Sequence, residues 1–154
     1  MGDEVYDDAK DCLATLPERS MLADFVETLP KIANIVRKVQ PAWLAVYLNT
    51  DKSQEADLNK TFDAILDKVE KCLKYSQGDL LEGDELTIGD LELAVTTYHM
   101  IAAFRSERKN WKIPSKFPAL SKYVDMMHDM MCFKSVMPSK ENVALRYKAM
   151  KQPP

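Results

Sequence analysis

Three cysteines and two histidines are the side chains of this sequence with the greatest potential for nucleophilic or metal chemistry. The cysteines, Cys12, Cys72 and Cys132, lie about sixty residues apart and form no C-x-x-C pair. Cys12 lies in an acidic stretch that disfavours a thiolate, which is the opposite of an activated nucleophile. Cys72 and Cys132 are typical of packing residues. We therefore expect no catalytic residue among the cysteines.

His128 and Cys132 are four residues apart, with Asp125 and Asp129 beside them. This spacing could place zinc ligands on one helix face, but no second Cys/His pair stands at ligand spacing. His99 falls in an apolar segment, where a single histidine is usually a hydrogen-bonded core residue. We therefore expect no metal site, no cofactor-binding residue and no catalytic residue, so the chain is not expected to be an enzyme by itself.

The elements that would position these residues are helices. Apolar residues recur at three- and four-residue steps in four segments, which predicts amphipathic helices: 55–75, 87–105, 118–131 and a last helix from about 139. Shorter helices are predicted at 21–29 and 39–48. On the second long helix we place Leu91, Val95 or Ala94, Tyr98, Ile101 and Ala102 on the core stripe. No strand alternation or hairpin motif occurs. The fold class is therefore an all-α helical bundle.

The start of the second long helix carries the clearest local motif. Thr87 can cap the helix with its hydroxyl, while Asp90 returns a carboxylate to the Thr87 amide, as in a capping box. The helix that follows is uncharged from Leu93 to Phe104 apart from His99. An almost entirely apolar helix is expected at the centre of a bundle.

Composition excludes several classes of function. The 154 residues carry 21 Lys and Arg against 24 Asp and Glu, a net charge of −3, so no nucleic-acid partner is expected. Four scattered glycines exclude a glycine-rich phosphate loop. The longest apolar run, 42–48, is too short to span a membrane. The cysteine pattern and the absence of a leader favour a reduced, cytoplasmic protein.

The segment from about 80 to 150 resembles the chloride intracellular channel family, within the C-terminal helical domain of the glutathione transferase superfamily; 25–73 matches more loosely. The likeness rests on seven pieces of sequence: Leu81–Thr87, Tyr98–Ile101, Lys112–Pro114, Lys122-Tyr123, Phe133, Ser135–Glu141 and Ala144–Tyr147. It implies a glutathione-transferase C-terminal-like helical domain over 21–154, with a peripheral segment at 1–20.

The sequence departs from that family in three ways. The thioredoxin-like half that carries the family's glutathione site and redox cysteine has no counterpart in this sequence, and neither does the membrane-inserting segment. Met137 stands where the family usually has a cysteine. Glutathione is therefore implied by resemblance alone, with its site absent here. Without that half, we expect Trp43 and Tyr47 to be exposed as an apolar patch that favours self-association.

Three hypotheses about function follow. The first is a helical domain that acts as a binding module for a protein partner. The second is a fragment of a full-length glutathione-dependent oxidoreductase or chloride channel protein. The third is a scaffold domain of a translation complex, a role that isolated transferase-like helical domains also serve. The methionines at 126, 127, 130, 131 and 137 could form an adaptable binding surface, but we expect two or three of them to fill the core, with Met126 at its edge. We expect the basic clusters 105–112 and 148–151 to be a solvated rim. Membrane association through anionic lipid heads is kept as an alternative.

Overall fold

A computed structural model describes the backbone of residues 19–152 and the side chains of residues 32–152. The described backbone forms six helices and no strand. They are α1 (Arg19–Leu48), α2 (Glu55–Tyr75), α3 (Ile88–Glu107), α4 (Pro118–Asp129), α5 (Met131–Val136) and α6 (Lys140–Met150). The predicted all-α helical bundle is confirmed. Cys12 and most of the predicted peripheral segment, 1–20, lie outside the described residues.

Contacts divide the chain into two units, residues 1–31 and 32–154. In the first unit the structure describes only helical backbone from Arg19 to residue 31. In the second, α3 packs against both α4 and α6, while α2 packs against α4. The predicted central position of α3 follows from these contacts, together with the full burial of Leu93, Ala94 and Met100.

The two short helices predicted at 21–29 and 39–48 are parts of one helix, so that prediction was wrong. A proline inside a helix removes a hydrogen bond and crowds the preceding turn, at a cost of about 3 kcal/mol. The predicted break, residues 30–38, is nevertheless helical, and Val36, Val39, Trp43 and Tyr47 are all buried at helical spacing on both sides of Pro41. Burial of this continuous apolar face outweighs the proline's effect on the backbone.

The helix predicted over 118–131 ends two residues early, at Asp129, because Met130 adopts an extended conformation. The chain then restarts as α5, and this turn brings Phe133 into the core, stacked on the His128 ring at 5.2 Å between ring centroids. Met127 is buried, as its place on the apolar face of the predicted helix indicates, whereas Met131, which the same periodicity places on that face, is 80% exposed, so that part of the prediction was wrong.

The loop before α3 is tied to its first turn by a fully buried carboxylate. Asp90 accepts hydrogen bonds from the Thr87 amide at 2.9 Å and from the Leu81 amide at 3.0 Å. In return, the Thr87 hydroxyl accepts a hydrogen bond of 3.4 Å from the Asp90 amide, which completes a capping box. The Tyr123 hydroxyl of α4 donates to the same carboxylate at 2.8 Å. One side chain therefore joins the loop, α3 and α4.

Candidate functional site

A stripe of exposed apolar side chains lies along the first two turns of α3. Ile88, Leu91 and Val95 are 76%, 45% and 38% exposed and follow one another at helical spacing. Leu86, in the loop just before the helix, is exposed beside them. We call these four residues the α3 stripe. The other exposed side chains of α3, Arg105 and Glu107, are charged, so the stripe is the exposed apolar part of this central helix.

A groove of about 550 Å³ runs alongside the α3 stripe, between α1, α3 and α6. Val36, Arg37 and Gln40 line it from α1, and Arg146 and Tyr147 line it from α6. Arg37 and Glu92 stand 3.9 Å apart across it, as a solvent-exposed ion pair. The groove therefore combines an apolar wall with a polar rim, which is the arrangement found at protein-binding surfaces.

Two polar side chains that line the groove, Thr96 and His99, are hydrogen-bonded to aromatic residues. The Trp43 indole donates to the Thr96 hydroxyl at 3.1 Å, and the Tyr147 hydroxyl stands 2.9 Å from Nδ1 of His99. Burial, and secondarily the Arg146 guanidinium, lower the pKa of His99. The neutral imidazole is therefore favoured, and its δ nitrogen is already engaged. This agrees with the hydrogen-bonded core role expected for His99.

Trp43 and Tyr47 do not form the exposed patch expected from the sequence. Trp43 is 0% exposed and Tyr47 2% exposed, so that prediction was wrong. Both rings pack edge-on against Tyr147 of α6 and Phe104 of α3, so the bundle itself covers them. The predicted core stripe on α3 is only partly correct. Ala94, Ile101 and Ala102 are buried as predicted, but Leu91 and Val95 face outward, and Leu93 and Thr97 are buried in their place.

Sequence reasoning missed the α3 stripe, although its signal was present. Ile88, Leu91 and Val95 have the spacing of one helix face, and Leu93, Ala94 and Thr97 have the spacing of another. On a helix with so few charges, both faces read as apolar, so periodicity does not distinguish the face that meets the core from the opposite one. Only the positions of α4 and α6 decide this.

The remaining candidate residues are not brought together. His128 is half-buried, and its Nε2 lies 2.9 Å from the Ala94 carbonyl oxygen. Cys132 is exposed on α5 rather than packed in the core, and the break at Met130 ends the helix that would have aligned it with His128. Within residues 32–152, no three His, Cys, Asp or Glu residues are grouped so as to hold a metal ion. No described helix is long and apolar enough to cross a membrane.

An all-α bundle built around a capped, buried central helix defines a class of helical domain, and the match to a family model identifies which one. Residues 41–125, more than half of the chain, match the model of the glutathione S-transferase C-terminal domain. The chain belongs to this family.

The chain is also similar, at low sequence identity, to a curated protein. Glutathione S-transferase DHAR2 from Arabidopsis thaliana is 25% identical over 133 residues, which cover 86% of this chain and 61% of the relative. The chain therefore spans about three fifths of the length of the curated relative that it matches.

Proposed function

We propose that this chain is a chloride intracellular channel-like helical domain that acts as a cytoplasmic protein-binding module and docks its partner on the α3 stripe. The proposal assigns the chain no catalytic site of its own. The exposure of Ile88, Leu91 and Val95 on a helix whose opposite face is buried is the observation that carries it. Adjacent exposed apolar side chains with a polar rim are typical of an interaction surface.

The chemistry of the groove supports binding rather than catalysis. Its histidine is hydrogen-bonded to Tyr147, and Arg37 lies near Glu92 on the rim. The two described cysteines, Cys72 and Cys132, do not line the groove. The described side chains thus offer a partner apolar contact area and a charged rim, without a nucleophile placed beside a base.

Substitutions on the α3 stripe test this proposal. Ile88→Asp and Leu91→Asp place charges on the exposed face, where we expect little loss of stability but loss of a bound partner. The control is Leu145→Asp, because Leu145 is 64% exposed on α6 and does not line the groove. Tagged wild-type and variant chains are compared by affinity capture and quantitative mass spectrometry.

A protein that is captured by the wild type and by Leu145→Asp, but not by the stripe variants, supports the proposal. Equal capture by all four chains, or capture at background level by the wild type, contradicts it. Sedimentation of the purified chain adds one distinction. Concentration-dependent association that the stripe variants abolish identifies the partner as a second copy of this chain.

The length of the relative favours a second candidate function. Because the chain covers 61% of Glutathione S-transferase DHAR2, it is also consistent with the helical part of a longer glutathione-dependent oxidoreductase or chloride channel protein. In that case the α3 stripe docks another domain of the same protein. The intact mass of the endogenous protein distinguishes the two: 17.6 kDa favours the separate module, and a heavier species favours the longer protein.

A chloride-efflux assay with liposomes adds to this distinction. We expect efflux at background level from the 154-residue chain. Efflux above background would assign channel activity to this chain and contradict the binding-module proposal.

A further inference from the structure

A second groove, on the side of α3 that faces α4, contains basic side chains that the proposed function does not use. It has a volume of about 730 Å³ and lies between α3, α4, α5 and α6. Arg105, Lys134 and Lys140 line it together with two carboxylates, Asp125 and Asp129. We call it the basic groove, because its charged side chains carry a positive excess although the whole chain is acidic.

Only some of the charged side chains in the basic groove form ion pairs. Asp129 is paired with Lys134, so these two charges offset one another. Among the ion pairs of residues 32–152, none includes Arg105 or Lys140, and Asp125 lies beyond ion-pairing distance of both. Two cations therefore share one groove without a carboxylate in contact with either.

Lys140 is held in place rather than extended into solvent. Its Nζ lies over the Tyr98 ring, 5.4 Å from the ring centroid, and the Tyr98 hydroxyl is anchored to the Pro138 carbonyl oxygen at 2.8 Å. The side chain of Arg105 is also positioned, because its Nε donates to the Trp111 carbonyl oxygen at 3.0 Å. Burial, and then the Arg105 guanidinium, lower the pKa of Lys140. The Asp125 and Glu141 carboxylates raise the pKa of Lys140 but do not offset these effects, and the positive charges of Lys140 and Arg105 repel each other.

We propose that the basic groove binds a small oxyanion, a phosphate or carboxylate group, between Lys140 and Arg105. An oxyanion accepts charge-assisted hydrogen bonds from both side chains and relieves the repulsion between them. The His128 ring lines the same groove, and its Nε2 is directed to the Ala94 carbonyl oxygen. The imidazole therefore forms part of the wall, while the two cations supply the binding energy.

Titration with inorganic phosphate tests this inference. Amide chemical shifts of the ¹⁵N-labelled chain are followed at constant ionic strength, with sodium chloride replaced by phosphate. We expect saturable shifts around Arg105, Asp125 and Lys140. Lys140→Gln should weaken phosphate binding about tenfold, the effect of losing one charge-assisted hydrogen bond. Lys140→Arg, which keeps the charge, should retain binding.

Lys148→Gln is the matched control, because Lys148 is exposed on the same helix and does not line the groove. Its affinity for phosphate should equal that of the wild type. Shifts that do not saturate, or the same affinity in Lys140→Gln, would overturn the inference.

Vesicles of phosphatidylcholine with and without phosphatidic acid identify the source of the oxyanion. Lys140-dependent binding to the phosphatidic acid vesicles indicates a lipid headgroup, and phosphate binding without vesicle binding indicates a soluble ligand. The α3 stripe takes no part in either assay, so these results are independent of the proposed function.

Discussion

The carboxylate of Glu70 in α2 accepts a hydrogen bond of 2.7 Å from the backbone amide of Leu120 in α4. The second oxygen of this carboxylate accepts a hydrogen bond of 3.0 Å from the Ala119 amide. Phe117, at the N-cap position of α4, has no side chain that can accept these amides. Glu70 therefore replaces the missing cap from another helix, and its 2% exposure means that water does not compete for the bonds.

Glu70→Ala should destabilise the protein strongly. It leaves two amides at the start of α4 without an acceptor, which we expect to lower the free energy of unfolding by about 3 kcal/mol. Urea denaturation monitored by circular dichroism measures this change. The control is Lys74→Ala, which removes the exposed partner of Glu70 and should cost less than about 1 kcal/mol. Equal losses in the two variants would contradict the capping role.

Loss of the Asp90 side chain should destabilise the protein more than loss of the Thr87 side chain, its partner in the capping box. Asp90→Ala removes the acceptor of the Leu81 and Thr87 amides and of the Tyr123 hydroxyl, and we expect a loss of about 4 kcal/mol. Thr87→Ala removes the cap of the Asp90 amide and the hydrogen bond from the Thr87 hydroxyl to the Asp90 carboxylate, and it should cost about 1 kcal/mol. Thermal and urea unfolding of both variants check the order. A larger loss in Thr87→Ala would show that Asp90 does not join the three segments.

Tyr47→Phe should be neutral or slightly stabilising. The Tyr47 hydroxyl is buried and has no hydrogen-bond partner among the described side chains and backbone, so its removal relieves a desolvation penalty of about 1 kcal/mol. The Phe ring keeps the contact with Lys151, whose Nζ lies 4.0 Å from the ring centroid. Tyr123→Phe is the matched comparison, because that hydroxyl donates to Asp90 and its loss should destabilise. Melting temperatures are measured by calorimetry. Equal decreases for Tyr47→Phe and Tyr123→Phe would disprove the distinction between the two hydroxyls.

Stability should decrease as the pH falls below about 6.5, the ordinary pKa of histidine. Burial lowers the pKa of both His99 and His128, with the Arg146 guanidinium adding to the effect at His99. At these two histidines the unfolded chain therefore binds protons more readily than the folded chain. The stability that is present above pH 6.5 is lost as the pH falls through the lowered pKa values of the folded state. Urea unfolding at pH 7.5 and 5.5 measures the slope.

His128→Gln should reduce this pH slope, whatever its effect on stability at pH 7.5. Burial raises the pKa of the Glu82 carboxyl, which acts in the opposite sense nearer pH 4.5, so the comparison is made above that range. A slope that is unchanged in both His128→Gln and His99→Gln would show that these imidazoles do not titrate with folding.

The two described cysteines should react at different rates. Cys132 is exposed on α5, whereas Cys72 is half-buried and burial raises the pKa of its thiol. Because the thiolate is the reactive form, iodoacetamide at pH 8 should alkylate Cys132 first. Peptide mapping by mass spectrometry at short reaction times reads out each site separately. Faster alkylation of Cys72 would mean that the packing around α2 is looser than the structure shows.

Local pattern was sufficient to predict the α2 bounds, the helical fold class and the capping-box motif at the start of α3. Helix formation and capping depend on residues three or four positions apart, so a short stretch of sequence contains all the residues involved. The same logic failed over residues 30–38 and at Met130, where burial of distant apolar residues decides whether a helix continues or ends.

The sequence by itself determined that the chain forms amphipathic helices around an apolar central one. Only the tertiary structure decided that Leu91 and Val95 face outward while Trp43 and Tyr47 are covered, and that Glu70 caps a helix fifty residues away. It also decided that Arg105 and Lys140 line one groove. The physical reason is that contacts between helices join residues far apart in sequence, and no periodicity within a single helix specifies which neighbour its faces will meet.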